Sequence, residues 1–296
     1  MKNLLTILFF FALSTLFSQN EKLFDRLQAI ENNGLTFYEV DGINISSQTL
    51  NYKFTDKKLK KVYRKYSIKN KDKKTVDTTL KYKNYYVSKT DLITENLTQN
   101  SSYYFLESKD KRTTIIQFGS INKKDKEFER KMVELVMENK IPQKCYNSLV
   151  IYNINFVGRK IKLGNNCHWQ NVNNVQCPYN GQMNWSVHKD LKDAENTIEQ
   201  QFEITKSKKG GKVISEEIVE IEFEGTETKA KKVIYDFTGI TSVLVSMSGG
   251  KTLTIYYVAS EVRDNYVSCV LSFWNNDTIT KNGLAPLLEE VMKLKQ

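Results

Sequence analysis

Val219-Glu220-Ile221-Glu222-Phe223-Glu224 alternates apolar and acidic residues at every step. Period-two alternation marks a strand with one face buried and the other in water. The reading extends outward on both sides. Residues 252–259 and 266–274 are rich in β-branched and aromatic side chains and read as strands. Residues 240–247 read as a further strand, joined to 252–259 by a hairpin turn at Ser248-Gly249-Gly250. Residues 284–294 read as a closing helix with Pro286 in its first turn, where a missing N–H costs nothing. Upstream, Asp190 starts a helix with Asp193 at the capping-box offset, and Leu191, Ala194, Ile198 and Phe202 form its apolar face.

The first half repeats this order. Residues 20–32 read as a short helix with Leu23, Phe24, Leu27 and Ile30 on one face and Gly34 as its stop. Residues 35–118 read as an antiparallel meander. Within it Val62, Arg64, Tyr66 and Ile68 alternate with Tyr63, Lys65 and Ser67, and 70–74 is the turn. Arg64 falls on the apolar parity, a conflict within that assignment. Residues 103–106 and 113–118 form another hairpin. A helix follows at 125–139, with Phe128, Met132, Leu135 and Val136 as its buried stripe and Pro142 beyond its end.

These elements define an α+β fold of antiparallel meanders flanked by helices. Helix, meander, hairpin and helix occur in that order twice, which suggests two degenerate copies of one module, at 19–142 and 143–296. In that scheme Tyr103-Tyr104-Phe105 corresponds to Tyr256-Tyr257-Val258. The helix at Asp190, Thr254-Ile255-Tyr256-Tyr257-Val258, Val270-Leu271-Ser272-Phe273-Trp274 and the closing helix resemble PsbP-like modules over residues 185–294. The resemblance implies an antiparallel sheet flanked by helices, used in extracytoplasmic binding or assembly. It implies no catalytic residues.

The N-terminus predicts a compartment. Lys2 is a short basic region, residues 4–16 are apolar apart from Thr6, Ser14 and Thr15, and Ser18 is a small residue suited to cleavage before Gln19. These are the parts of a bacterial secretory signal peptide, residues 1–18, and they predict a secreted or periplasmic chain with no membrane span after processing. Its 40% hydrophobic and 26% charged content is that of a globular protein. Cys167 and Cys177, ten positions apart in a segment rich in Asn, Gly and Trp, read as a local disulfide. Cys145 and Cys269 are either a second disulfide or two buried thiols.

Little in the chain points to catalysis. His168 and His188 are its two histidines, which excludes a His-rich metal site and predicts no metal and no cofactor. Cys167 beside His168 gives no Cys–His hydrolase if the cysteine is oxidised. Glu220, Glu222 and Glu224 are either an acidic ridge for a cation or a solvated sheet face.

The charge pattern is more informative. The precursor carries +10, yet residues 53–89 hold fourteen Lys/Arg against three Asp. Lys57, Lys58, Lys60, Lys61, Arg64 and Lys65 are the densest part, interleaved with Tyr52, Phe54, Tyr63, Tyr66, Tyr82, Tyr85 and Tyr86. That texture is either a docking surface for an anionic ligand, with tyrosines adding contact area, or a Lys-rich sheet face that resists edge pairing. Export argues against nucleic acid. The expected function is a non-enzymatic binding module for an acidic protein or an anionic envelope polymer. The alternatives are a secreted hydrolase and an inhibitor or immunity-type protein.

Overall fold

The computed structural model describes residues 21–247 and 249–295. The signal peptide expected at 1–18, and Ser248 of the expected 248–250 turn, lie outside the described residues. The fold is α+β, as the alternation predicts. A short helical stretch at 21–26 leads into β1 (Gln28–Asn32), β2 (Leu35–Val40) and β3 (Ile43–Lys53). The helix expected over 20–32 therefore ends early. Asn33 and Gly34 do not stop a helix: both have positive φ (51° and 75°) and form the two-residue β1–β2 turn. Asp41 and Gly42, at 52° and 75°, do the same between β2 and β3. Asn-Gly and Asp-Gly are the pairs that such turns select.

Helix α1 (Asp56–Lys65) follows and corrects the expected strand around Val62. Leu59, Val62, Tyr63 and Tyr66 fit positions i, i+3, i+4 and i+7, so they share one helical face. Leu59 and Val62 are buried. Arg64 then points away from the core, and the parity conflict disappears. β4 (Asn84–Thr94), β5 (Leu97–Glu107) and β6 (Arg112–Ile121) complete the meander, and α2 (Lys126–Met137) follows. The Asp125 side chain accepts the Phe128 N–H at 2.9 Å and caps α2. The strand order is β4-β5-β6-β3-β2-β1-β7, where β7 (Tyr146–Asn147) runs parallel to β1. Val87, Tyr103, Phe105 and Ile115 face α1 from one side of this sheet, and Tyr86, Tyr104, Ile116 and Phe118 pack in the α2 core on the other.

A hairpin of β8 (Asn153–Phe156) and β9 (Arg159–Lys162) leads to the second sheet. Its members are β10 (His168–Asn171), β11 (Asn174–Cys177), β12 (Gly181–His188), β13 (Gly211–Phe223), β14 (Thr226–Phe237), β15 (Thr252–Val262), β16 (Asn265–Trp274) and β17 (Met292–Leu294). The order is β10-β11-β12-β16-β15-β14-β13-β17. Helix α3 (Leu191–Ser207) joins β12 to β13 and buries Ala194, Ile198 and Phe202. Asp190 accepts the Asp193 N–H at 2.8 Å, so the capping contact forms as expected. The β8–β9 hairpin and the C-terminal segment cover the other face.

Two further expectations are corrected. Residues 240–247 form no strand: α4 (Gly239–Ser246) occupies the connection from β14 to β15. The closing helix is one turn, α5 (Pro286–Glu289), with Pro286 in its first turn. The chain then turns into β17, which pairs Leu294 with Ile221 of β13. In each sheet a three-strand meander runs into a helix, and its third strand later pairs with the last strand of the following meander, β3 with β6 and β12 with β16.

The halves meet at the β2–β3 turn. The Asp41 N–H donates to the Val187 carbonyl at 3.2 Å, and Lys123 pairs with Asp193 at 3.2 Å. A Cβ on Gly42 would lie 3.3 Å from Thr197 Oγ1, in a backbone region that L side chains rarely adopt. Glycine is therefore required for this approach.

Candidate functional site

The six basic residues singled out in the sequence all lie on α1 and all are exposed. At 100° per residue, Lys57, Lys61 and Arg64 form the crest opposite Leu59 and Val62. Lys60 lies on one flank, and Lys58 and Lys65 on the other. Among the described residues none of the six has a carboxylate within ion-pair distance. Lys65 Nζ donates instead to Gln48 Oε1 at 2.7 Å, and Lys58 Nζ lies 5.9 Å above the Tyr52 ring. Elsewhere several cations are matched: Lys231 and Lys232 pair with Glu216 and Glu217, Lys229 with Glu220, and Lys293 with Glu222.

The tyrosines have another role than the expected one. Tyr63 meets Phe105 edge-on at 4.8 Å, Tyr66 packs edge-on against Tyr103 and Phe105, and Phe54 stacks on Tyr85 at 5.9 Å. They fasten α1 to the sheet, and burial pushes the Tyr63 hydroxyl up to about 12. Tyr52, 38% exposed, lies beside Lys58.

The loop after α1 is anchored through Asp77. Arg130 donates to both of its carboxylate oxygens, at 2.9 and 3.1 Å, and Lys126 lies 3.5 Å away. Burial alone would raise the Asp77 carboxyl; the Arg130 and Thr79 hydrogen bonds and Lys126 outweigh it and hold it at about 2. The basic segment is thus tied to α2 by an ion pair whose acid is nearly inaccessible.

A second group of titratable residues lies where the halves meet. Glu39 Oε1 accepts the Gly42 N–H and Oε2 accepts from Asn173 Nδ2, both at 3.0 Å. Burial, with a smaller contribution from Asp41, pushes its carboxyl up to about 8 against the lowering effect of these hydrogen bonds. His188 Nε2 lies 2.8 Å from Ser268 Oγ, and burial lowers the imidazole to about 4. A serine beside a histidine is the arrangement a hydrolase needs. Here Ser268 and His188 are 3% and 2% exposed, and neither lines the adjoining cleft of about 250 Å³ between Asp41, Lys123 and α3. The sequence drew no attention to this junction, although Asp41-Gly42 was a readable turn signal.

Cys167 and Cys177 form the expected disulfide. Cys145 and Cys269 are separate buried thiols, the second of the two alternatives. The Glu220–Glu222–Glu224 row is no open ridge. Glu220 and Glu222 pair with lysines, and Glu224 is held by Arg159 at 2.6 Å and by Arg263. Among the described residues no group of three or more His, Cys, Asp or Glu is placed to hold a metal ion, and no helix is long and apolar enough to cross a membrane.

No family model matches the chain, and no curated protein matches it. Among solved structures, the di-domain ARO/CYC StfQ from the steffimycin biosynthetic pathway is 8% identical, over 88% of this chain and 75% of that one. Its TM-score of 0.16 is too low to carry an argument about fold or function.

Proposed function

We propose that this protein is a non-enzymatic extracytoplasmic binding module that docks an acidic partner on the exposed face of α1. The observation that carries the reading is a helix with six exposed cations, none of them ion-paired among the described residues, in a molecule whose other lysines are often matched. Such a face speeds encounter with anionic surfaces, and salt screens the effect. The disulfide and the N-terminal pattern support the compartment. The shared connectivity of the two sheets supports reading the chain as two copies of one module, and the PsbP-like reading of residues 185–294 rests on its sequence. The copies pair differently from the expected Tyr103–Tyr256 match. Tyr103 faces α1 whereas Tyr256 faces away from α3, so Tyr104 is the better counterpart.

Charge reversal at Lys57, Lys58, Lys60 and Lys61 tests the function. Wild-type protein should be retained on immobilised polyglutamate and on an acidic polysaccharide and elute with salt. The reversed variant should pass through both with unchanged thermal stability. Equal retention of the variant would refute the proposal.

A further inference from the structure

The connection between β14 and β15 differs from every other hairpin of the two sheets. β5 and β6 are joined by a short turn around 108–111, and β15 and β16 by Arg263 and Asp264. β14 and β15 are instead joined by α4 and its flanks. Residues 239–250 contain no charged side chain. Ile240, Val243 and Met247 fall at i, i+3 and i+7 and are 82%, 60% and 82% exposed. Thr241 and Ser242 supply the polar side. This is an apolar stripe on a convex projection.

The rim of the projection is cationic. The Thr238 N–H donates to the Gly210 carbonyl at 2.9 Å, which brings the Lys208-Lys209 turn beside the start of α4. Lys212 is the second residue of β13, and Lys251 follows α4 on the other side. All four lysines are exposed, and none is ion-paired among the described residues. Asp236, cross-strand from Lys212, and Asp277, whose carboxylate accepts the Trp274 N–H at 2.8 Å, are carboxylates beside this rim. Phe237 and Trp274 stack at 5.2 Å at the same end of the sheet, both half-buried.

We propose that α4 is a membrane-surface anchor that inserts Ile240, Val243 and Met247 into the headgroup region of an anionic bilayer. A short apolar stripe with flanking lysines and an aromatic pair at its base suits an interface where one side is hydrocarbon and the other is negatively charged. A protein hot spot would be enriched in Trp, Tyr or Arg, and 239–250 has none of these. A second copy of the chain fits poorly, because pairing two such tips would bring two lysine rims together. The anchor is independent of the α1 reading, since it lies in the other sheet and binds through apolar contact as well as charge.

The test uses secreted protein with its N-terminus established by intact mass, in the α1 charge-reversed background, so that neither an apolar leader nor α1 contributes. The protein should sediment with vesicles of equal parts phosphatidylglycerol and phosphatidylcholine, and much less with phosphatidylcholine alone. Ile240→Asp combined with Met247→Asp should weaken partitioning at least about tenfold, since two apolar side chains lose their burial. Lys208→Glu with Lys209→Glu should weaken it and flatten its salt dependence. An environment-sensitive fluorophore on Ile240→Cys should shift to the blue on adding anionic vesicles. Absence of that shift, or unchanged sedimentation of the double aspartate variant, would overturn the proposal. A wild-type dimer that the aspartates convert to monomer, with no vesicle binding, would assign the stripe to a second copy instead.

Discussion

Helices α1 and α3 occupy equivalent places in the two sheets, each carrying the chain from the third strand of one meander to the next meander. Their electrostatics are opposite. α1 carries six cations and one Asp, whereas α3 carries Lys192 and Lys206 against Asp193, Glu195, Glu199 and Glu203. α3 is integrated with its surroundings: Glu199 pairs with Lys231 at 3.0 Å, and Asp193 with Lys123 of the first half. α1 is fastened on its inner face alone and leaves its outer charge unanswered. Both connections carry a helix at this place, and the solvent faces of the two helices differ. The difference between the helices is therefore a better guide to function than what they share.

The comparison can be broken at its anchors. Phe202→Ala removes the α3 ring that packs edge-on against Tyr257 at 5.7 Å, and should cost about 3–5 kcal/mol in chemical denaturation. Leu59→Ala in α1 should cost about 2–5 kcal/mol by the same measurement. If only the α3 change lowers stability, α1 is an appendage and not an integral layer.

The second sheet also holds a covalent link that the first lacks. Replacing Cys167 with Ser should cost about 2–3 kcal/mol under non-reducing conditions, by the loop-entropy estimate. Wild type in reductant should approach the variant. An unchanged midpoint would mean that β10 and β11 are held by packing alone.

The smallest effect expected is the pH dependence at the junction. Glu39, raised to about 8, contributes stability that is fully present below about pH 4.5 and lost as pH rises through 8. His188, lowered to about 4, contributes stability that is present above about pH 6.5 and lost as pH falls through 4. Glu39→Gln should therefore raise the melting temperature at pH 8 and change it least near pH 5. A variant that tracks wild type at every pH would remove Glu39 from this account.

Legibility followed the strength of local signals. α2 and α3 were readable because Asp125 and Asp190 cap them and their apolar residues repeat at helical spacing. The disulfide was readable from spacing and compartment. α1 was hidden because Val62, Tyr66 and Ile68 also satisfy a period of two. Leu59, which the strand reading did not use, Tyr63 and the parity conflict at Arg64 separate the two periods. α4 resisted for a related reason: its β-branched residues favour strand, yet the connection from β14 to β15 is helical. β17 could not be foreseen, since three residues carry no period and their strand character comes from β13. Of the candidate site, the residues were legible and their geometry was not. Charge density is a property of composition, whereas the junction around Glu39 and His188 depends on which strands become neighbours.

The pairing of β17 with β13 bears on how the molecule is assembled. Lys293 meets Glu222 across 71 positions of sequence, so β13 waits with one edge unpaired until the chain beyond α5 emerges. An open strand edge invites pairing with another chain. Ile221 and Phe223 lie on that strand, buried once the sheet is complete. As the chain emerges, the β13 edge therefore stays open between completion of β16 and arrival of Met292. A holdase that screens exposed strand edges would act most usefully in that interval, and a translation product broken off before residue 292 would leave the same edge permanently uncovered.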